Sequence, residues 1–235
     1  MFDFTILDWV GLGFFLLAWF AYHTAVEQTA AGQRSLNRLL NAHRYAWMRN
    51  AILRDNRIVD TTINASLQNG TAFFASTSLI AIGATLTLLK STSEILGVFG
   101  DLPFGAAQTR LAWEVKVLGL TVIFMYAFFK FAWSYRLFNY GAILIGAIPN
   151  VARGAEIPAT VDRAAWRAAS VNTIAGRHFN RGQRAFFFAV AYLGWFVSGT
   201  VLIVATAGVL YVMWRRQFAS DALAALGEGA WPDPP

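Results

Sequence analysis

Two cations stand inside a long apolar stretch, EVKVLGLTVIFMYAFFKFAWSYRLFNYGAILIGAIP, and they are the residues best placed for chemistry: Lys130 and Arg136. A helix that starts at Val115 rises about 1.5 Å per residue, which puts Lys130 about 22 Å and Arg136 about 31 Å along it. The hydrocarbon core of a bilayer is about 30 Å thick. Charge at such depth is costly and marks a functional hypothesis by default. The chemistry open to these cations is the capture of an anion, either a lipid phosphate or a bound solute. The plainer alternative is a lysine whose long stem snorkels to the headgroups and an arginine that anchors the helix at the interface. Trp133 and Tyr140, three and four residues from Arg136, are spaced to clamp its guanidinium by cation–π contact. Asn139 is placed to hydrogen-bond another helix.

The three histidines, His23, His43 and His178, are a second candidate set. His23 and Glu27 share a face at the end of the first apolar run. His43 lies on the apolar side of a loop helix. Imidazoles suit metal or haem ligation, yet no HExxH or paired ExxH spacing joins them. A lone histidine on an apolar face is more often a packed residue. There is no P-loop, GxSxG or dinucleotide fingerprint, so no catalytic residue and no enzymatic activity is assigned. The chain has no cysteine, which removes disulfides, thiolate sites and covalent haem attachment.

The elements that must position these residues are apolar. Of 235 residues 57% are hydrophobic, and the mean hydropathy is +0.46. Four runs are long enough to span a bilayer: 6–26, 70–89, 115–140 with an extension to 148, and 185–214. They lack the alternation of barrel strands. The expected fold class is therefore all-α, a polytopic membrane four-helix bundle. The third run either projects past the bilayer as one helix or breaks near Gly141. Asp3 and Asp8 open the first run where a signal peptide would be basic, so it reads as a retained helix.

Charge sorts by side. The loops 27–69 and 150–184 carry twelve arginines against five acids. The N-terminus, the segment around 90–116 and a tail at 217–235 preceded by Arg215 and Arg216 carry five basic and eight acidic residues. The positive-inside rule places the Arg-rich loops in the cytoplasm and both termini outside. Trp9, Trp113 and Trp214 then mark an outer aromatic belt, with Tyr22 and Trp133 toward the inner side. The basic balance suits anionic headgroups, and neither loop carries a nucleic-acid-binding motif. The outer connection, with GVFGDLPFG, reads as turn-rich.

Both Arg-rich loops carry amphipathic helices. In SLNRLLNAHRYAW the residues Leu36, Leu39, Leu40, His43 and Trp47 share one face, and Arg34, Asn37, Arg38 and Asn41 the other. The weaker ATVDRAAWRAASVNTIAGRHF has Asp162 near its start, where a helix dipole favours an anion. Such helices lie on a membrane surface or dock a partner. Ala72 with Ser76, and Gly194 with Ser198, are small pairs that allow close helix approach.

The strings FFKFAWSYRLFNY, TAFFASTSLI, HFNRGQRAFFF and YVMWRRQFAS resemble a family of four-span bacterial membrane proteins, the domain of unknown function 599 group. The resemblance touches three of the four runs. It implies a fold and a bacterial inner-membrane location but no mechanism, and it singles out Lys130, Trp133, Arg136, Asn139, Tyr140, Gly182, Arg184 and Arg215 as positions to test. The function expected is an oligomeric, channel- or transporter-like protein that handles an anion or anionic lipid. The alternatives are an accessory subunit of a larger membrane complex and a haem- or metal-binding redox protein.

Overall fold

The computed structural model describes residues 4–29, 32, 35–100 and 109–227. Every element among them is helical. In chain order they are α1 (Ile6–Gln28), α2 (Leu36–Ala51), α3 (Ile58–Lys90), α4 (Thr92–Gly100), α5 (Arg110–Ala147), α6 (Ala159–Leu193), a 3-10 turn (Gly194–Phe196), α7 (Gly199–Phe218) and α8 (Asp221–Gly227).

Local chemistry sets the ends. Thr5 and Asp8 form a capping box: the Thr5 hydroxyl accepts from the Asp8 backbone N–H at 3.2 Å, and the Asp8 carboxylate accepts from the Thr5 N–H at 2.9 Å. The Ser35, Thr109 and Ser198 side chains cap α2, α5 and α7 in the ordinary N-cap manner. Pro149 lies just past the end of α5, and Pro158 caps the start of α6.

Cross-helix pairs fix the directions. Asn64 and Phe74 of α3 meet Phe138 and Phe131 of α5. Lys116, Phe124 and Ser134 of α5 meet Trp195, Phe186 and Ala175 in order along α6 and its turn. Phe15 of α1 meets Phe188 and Tyr192, and Glu27 meets Arg181 and Arg184. All three pairings are antiparallel. The core between them is aromatic: Phe74, Phe131, Phe179 and Phe186 form one cluster, and Phe15, Trp19, Phe188 and Tyr192 another. Each ring pair adds about 0.5–1.5 kcal/mol beyond area burial. On α3 the residues facing the bundle are Asn64, Thr71, Ser78 and Thr85, all buried and seven apart. That repeat keeps one narrow seam against α5.

Several expectations change. The run 115–148 is one unbroken helix that starts five residues earlier, at Arg110, so Gly141 marks no break. There the absent side chain leaves room for Asn64 and Asn172, whose amides meet beside it. At about 1.5 Å per residue α5 is about 57 Å long and α6 about 52 Å, both longer than the roughly 30 Å thickness of a bilayer core. The loop 150–184 is not separate from the following run, because α6 crosses residue 185 without interruption.

The fourth run is not one helix. It ends at Leu193, turns through Gly194–Phe196 and restarts at Gly199. Gly199 packs so closely on α1 that a Cβ there would stand 2.5 Å from the Leu7 carbonyl oxygen. From that contact α7 runs parallel to α1, and Tyr22 meets Met213 near the far end. The Phe218 end of α7 therefore lies at the Gln28 end of α1, with the Arg-rich loops, and not with the N-terminus as expected for a tail at 217–235. Gly194 and Ser198 serve this turn and its cap rather than a flat packing face. Ser76 is exposed and Ala72 half-buried, so that pair does not face the bundle.

The α2 helix turns several polar residues to the bundle. Asn41, Arg44, Tyr45 and Met48 face the bundle, with Tyr45 3.2 Å from Ser170 and Arg44 against Gly176. Leu40 and His43, on the face expected to meet a membrane surface or a partner, are exposed, and Leu36, Leu39 and Trp47 of that face are half-buried. Burial pulls the Arg44 guanidinium below its ordinary range. Trp113 is buried against Phe196 rather than facing outward, and Trp214 stands at the opposite end from Trp9. Thr92–Gly100 forms a helix inside the connection expected to be turn-rich. Asp3, Arg34, the turn residues 101–108 and the tail 228–235 lie outside the described residues.

Candidate ligand site at the arginine-rich end

Glu27, one residue from the end of α1, is the centre of the site. Its carboxylate accepts hydrogen bonds from Arg181 and Arg184 of α6; the Arg181 Nε lies 3.0 Å away. His23, one turn earlier, places Nδ1 3.4 Å from the same carboxylate. Lys130 lies within electrostatic reach of Glu27 and Arg181, with its ammonium 5.0 Å from the centre of the Tyr126 ring. Three cations surround one carboxylate, so the cluster carries an excess of positive charge. Arg184 is only 8% exposed, and its Nη1 has no hydrogen-bond partner. A buried donor left unmade costs about 1–3 kcal/mol, more for a charged group.

Two clefts open beside Arg184. One, of about 240 Å³, lies between the end of α1, α2 and α6; Arg38 and Arg177 line it with Glu27. The other, of about 190 Å³, lies between α1, α2, α6 and α7 and is lined by Arg216 and Gln217. Gln217 is 6% exposed, and its Nε2 also has no partner. Arg216 lays its guanidinium 4.8 Å over the Phe187 ring.

The expected residues divide among several places. Lys130 and Arg184 belong to the Glu27 cluster. Arg136 is exposed; its Nε donates to the Tyr140 hydroxyl at 2.7 Å, and its guanidinium stands 5.7 Å from that ring. Trp133 is not part of that clamp and faces His178 across 6.5 Å. Asn139 accepts from Gln68 of α3 at 2.6 Å, a hydrogen bond between helices. Arg215 is exposed, and its neighbour Arg216 takes the cleft position. His43 is exposed on α2, apart from His23 and His178. Burial, then the charges of Arg181, Lys130 and Arg177, hold the His178 imidazole below its ordinary value near 6.5. Among the described residues no group of three His, Asp or Glu side chains converges as metal ligands would.

Sequence reasoning passed over Glu27 as a partner for the cations, and Gln217 altogether. The carboxylate was readable one residue beyond the first run. Its pairing with Arg181, 154 positions away, was not. A second polar cluster went unseen at the opposite end. There Trp195 Nε1 donates to Asp8 at 2.7 Å, and the buried Lys116 donates to the Trp195 carbonyl at 2.9 Å. On the loops, the fully buried Asp60 accepts from Trp47 at 2.7 Å and from Arg54, which ties α2 to the start of α3.

A family model described as "Protein of unknown function, DUF599" matches residues 10–222. No curated protein and no solved structure matches the chain.

Proposed function

We infer that this chain, which belongs to the DUF599 family, is a bacterial inner-membrane protein that binds an anion or an anionic lipid headgroup at its cytoplasmic end. Three helices, Ile6–Gln28, Ile58–Lys90 and Arg110–Ala147, are long and apolar enough to cross a membrane. Only 11% of the most apolar window of α3 is buried within the protein. Its exposed Phe73, Leu79, Ile80 and Leu86 suit lipid. The outer half of α6 and the whole of α7 complete a five-crossing reading with the N-terminus out and the C-terminus in. Arg215 and Arg216 then join the twelve loop arginines on one side and leave only Lys90, Arg110 and Lys116 on the other. The exception to the positive-inside rule disappears.

One observation carries the ligand reading: Arg184 is buried with Nη1 unpartnered, beside clefts in which cations outnumber carboxylates. The bundle interior between this end and Asp8 is filled by the Phe15, Phe188 and Tyr192 rings. Binding from the cytoplasmic end is therefore favoured over conduction through a single chain. An oligomeric, transporter-like assembly of this unit is the finer form of the same reading. The test is native mass spectrometry and thermal unfolding of protein released in mild detergent. Phosphatidylglycerol should co-purify and stabilise, phosphatidylcholine should not, and Arg184→Gln should abolish the difference. Equal responses to both lipids would count against the reading.

The outward face of α2 supports a second reading, an accessory subunit docked through Leu40 and His43. Co-purification of one defined partner, lost in Leu40→Asp, is its test.

A further inference from the structure

Next to the 190 Å³ cleft, and sharing Tyr22 with it, runs an apolar groove of about 390 Å³. Ala18, Ala21 and Ala25 of α1 form one wall, and Leu210, Tyr211 and Trp214 of α7 the other. The three alanines fall on one face at helical spacing, so α1 presents a channel without side-chain bulk. The groove is open along its length on the surface where α1 and α7 would meet lipid. At its cytoplasmic end the lining changes from hydrocarbon to donors: Asn37, Asn180, Gln183, Arg184, Arg216 and Gln217. Among the described residues no carboxylate lines this second cleft. Two of its donors, Arg184 Nη1 and Gln217 Nε2, are buried and unpartnered.

We propose that the groove and the cleft form one site for an anionic phospholipid, with an acyl chain between α1 and α7 and the phosphate on Arg184, Arg216 and Gln217. The proposal rests on the anion-binding reading above and adds the chain. A phosphate brings several strong acceptors, enough to satisfy both orphan donors at once. Guanidinium groups suit it because their planar fork matches phosphate oxygens in pairs. A free phosphate would leave the apolar groove empty, because a solute anion gains nothing from hydrocarbon walls. The zwitterionic headgroups are disfavoured by the cleft's two arginines and its lack of a carboxylate.

The experiment uses the full chain, delipidated in mild detergent and titrated with inorganic phosphate, dioctanoyl phosphatidic acid and dioctanoyl phosphatidylcholine. The phosphatidic acid is expected to bind about tenfold or more tighter than phosphate, the surplus coming from chain burial. Ala21→Trp, which fills the groove from the exposed side, should remove that surplus and leave the phosphate response unchanged. Gln217→Leu should weaken both anionic ligands while the unliganded protein unfolds at the same temperature or higher, because an unpaired buried donor is gone. Equal affinity for phosphate and phosphatidic acid, with Ala21→Trp neutral, overturns the chain site but leaves anion binding standing. Phosphatidylcholine binding as tightly as phosphatidic acid overturns the role of the arginines. Failure of both anionic ligands to bind overturns this site and the anion-binding reading together.

Discussion

The hydroxyl of Tyr22 donates a 3.1 Å hydrogen bond to the carbonyl of Met213, across 191 positions of sequence. Together with the contact of Gly199 on Leu7, it aligns α7 parallel to α1 over most of their length. Two parallel helices that both cross a membrane end on the same side. This pairing puts the Phe218 end of α7 beside the Gln28 end of α1.

The first prediction concerns sidedness. A green fluorescent protein fused after Gly227 should fluoresce, and alkaline phosphatase fused there should be inactive. Phosphatase fused after Phe196, in the turn between α6 and α7, should be active. An active phosphatase at the C-terminal fusion would mean that residues 185–214 cross the membrane once.

Helix approach at the turn supplies a second. At Gly199 a methyl group would meet backbone atoms of Leu7 and Asp8, which cannot rotate aside. Gly199→Ala should destabilise the protein by about 1–3 kcal/mol, the usual cost of overpacking. Gly208, in the same helix, has nothing within 4 Å of the corresponding position. Gly208→Ala should be neutral or stabilising by up to about 1 kcal/mol. Thermal unfolding of the two variants in one detergent checks the contrast, and equal effects would argue against the close α1–α7 contact.

The outer polar cluster gives a third. Trp195→Phe keeps the ring that packs on Tyr192 but removes the donor to Asp8. Leaving that buried carboxylate oxygen short of a partner should cost about 1–3 kcal/mol. Asp8→Asn in the Trp195→Phe background should then cost less than Asp8→Asn alone. A double-mutant cycle on unfolding midpoints measures the difference, and strict additivity would deny the coupling.

Acidification provides a fourth. His178 lies in the first, polar part of α6, before the apolar run that begins at residue 185, and its folded-state pKa is depressed below 6.5 by burial and by Arg181, Lys130 and Arg177, while Glu27 opposes the shift. A group whose pKa falls on folding contributes stability that is complete above 6.5. That stability is lost as the pH falls through the lowered value. Unfolding temperatures should therefore drop between neutral pH and pH 5 by more in the native chain than in His178→Gln. A larger drop in the variant would reverse the sign and refute the assignment.

The sequence by itself determined the class. Runs of about 20 apolar residues leave helices as the economical way to satisfy a backbone in lipid, whereas the buried seam of α3 at 64, 71, 78 and 85 emerged only in the structure, which leaves the expected pair Ala72 and Ser76 off it. The Arg136–Tyr140 contact and the Asn139 hydrogen bond were legible because they depend on short-range helical spacing or on a single polar side chain in an apolar face. The fold-back at Gly194 was not legible. Its turn, GWFVSG, is almost as apolar as the helices on either side, so hydropathy sees one run where the backbone makes two. The inner contacts of α2 were hidden for a different reason. Its apolar face reads as a surface for a membrane or a partner, and Leu40 is exposed accordingly, but the packing of Arg44 against Gly176 of α6 depends on residues far apart in sequence. Tertiary structure alone brought Glu27 to Arg181 and Arg184, and Gln217 to the second cleft beside Arg184, because contacts between residues far apart in sequence follow from how helices pack and leave no trace in local spacing.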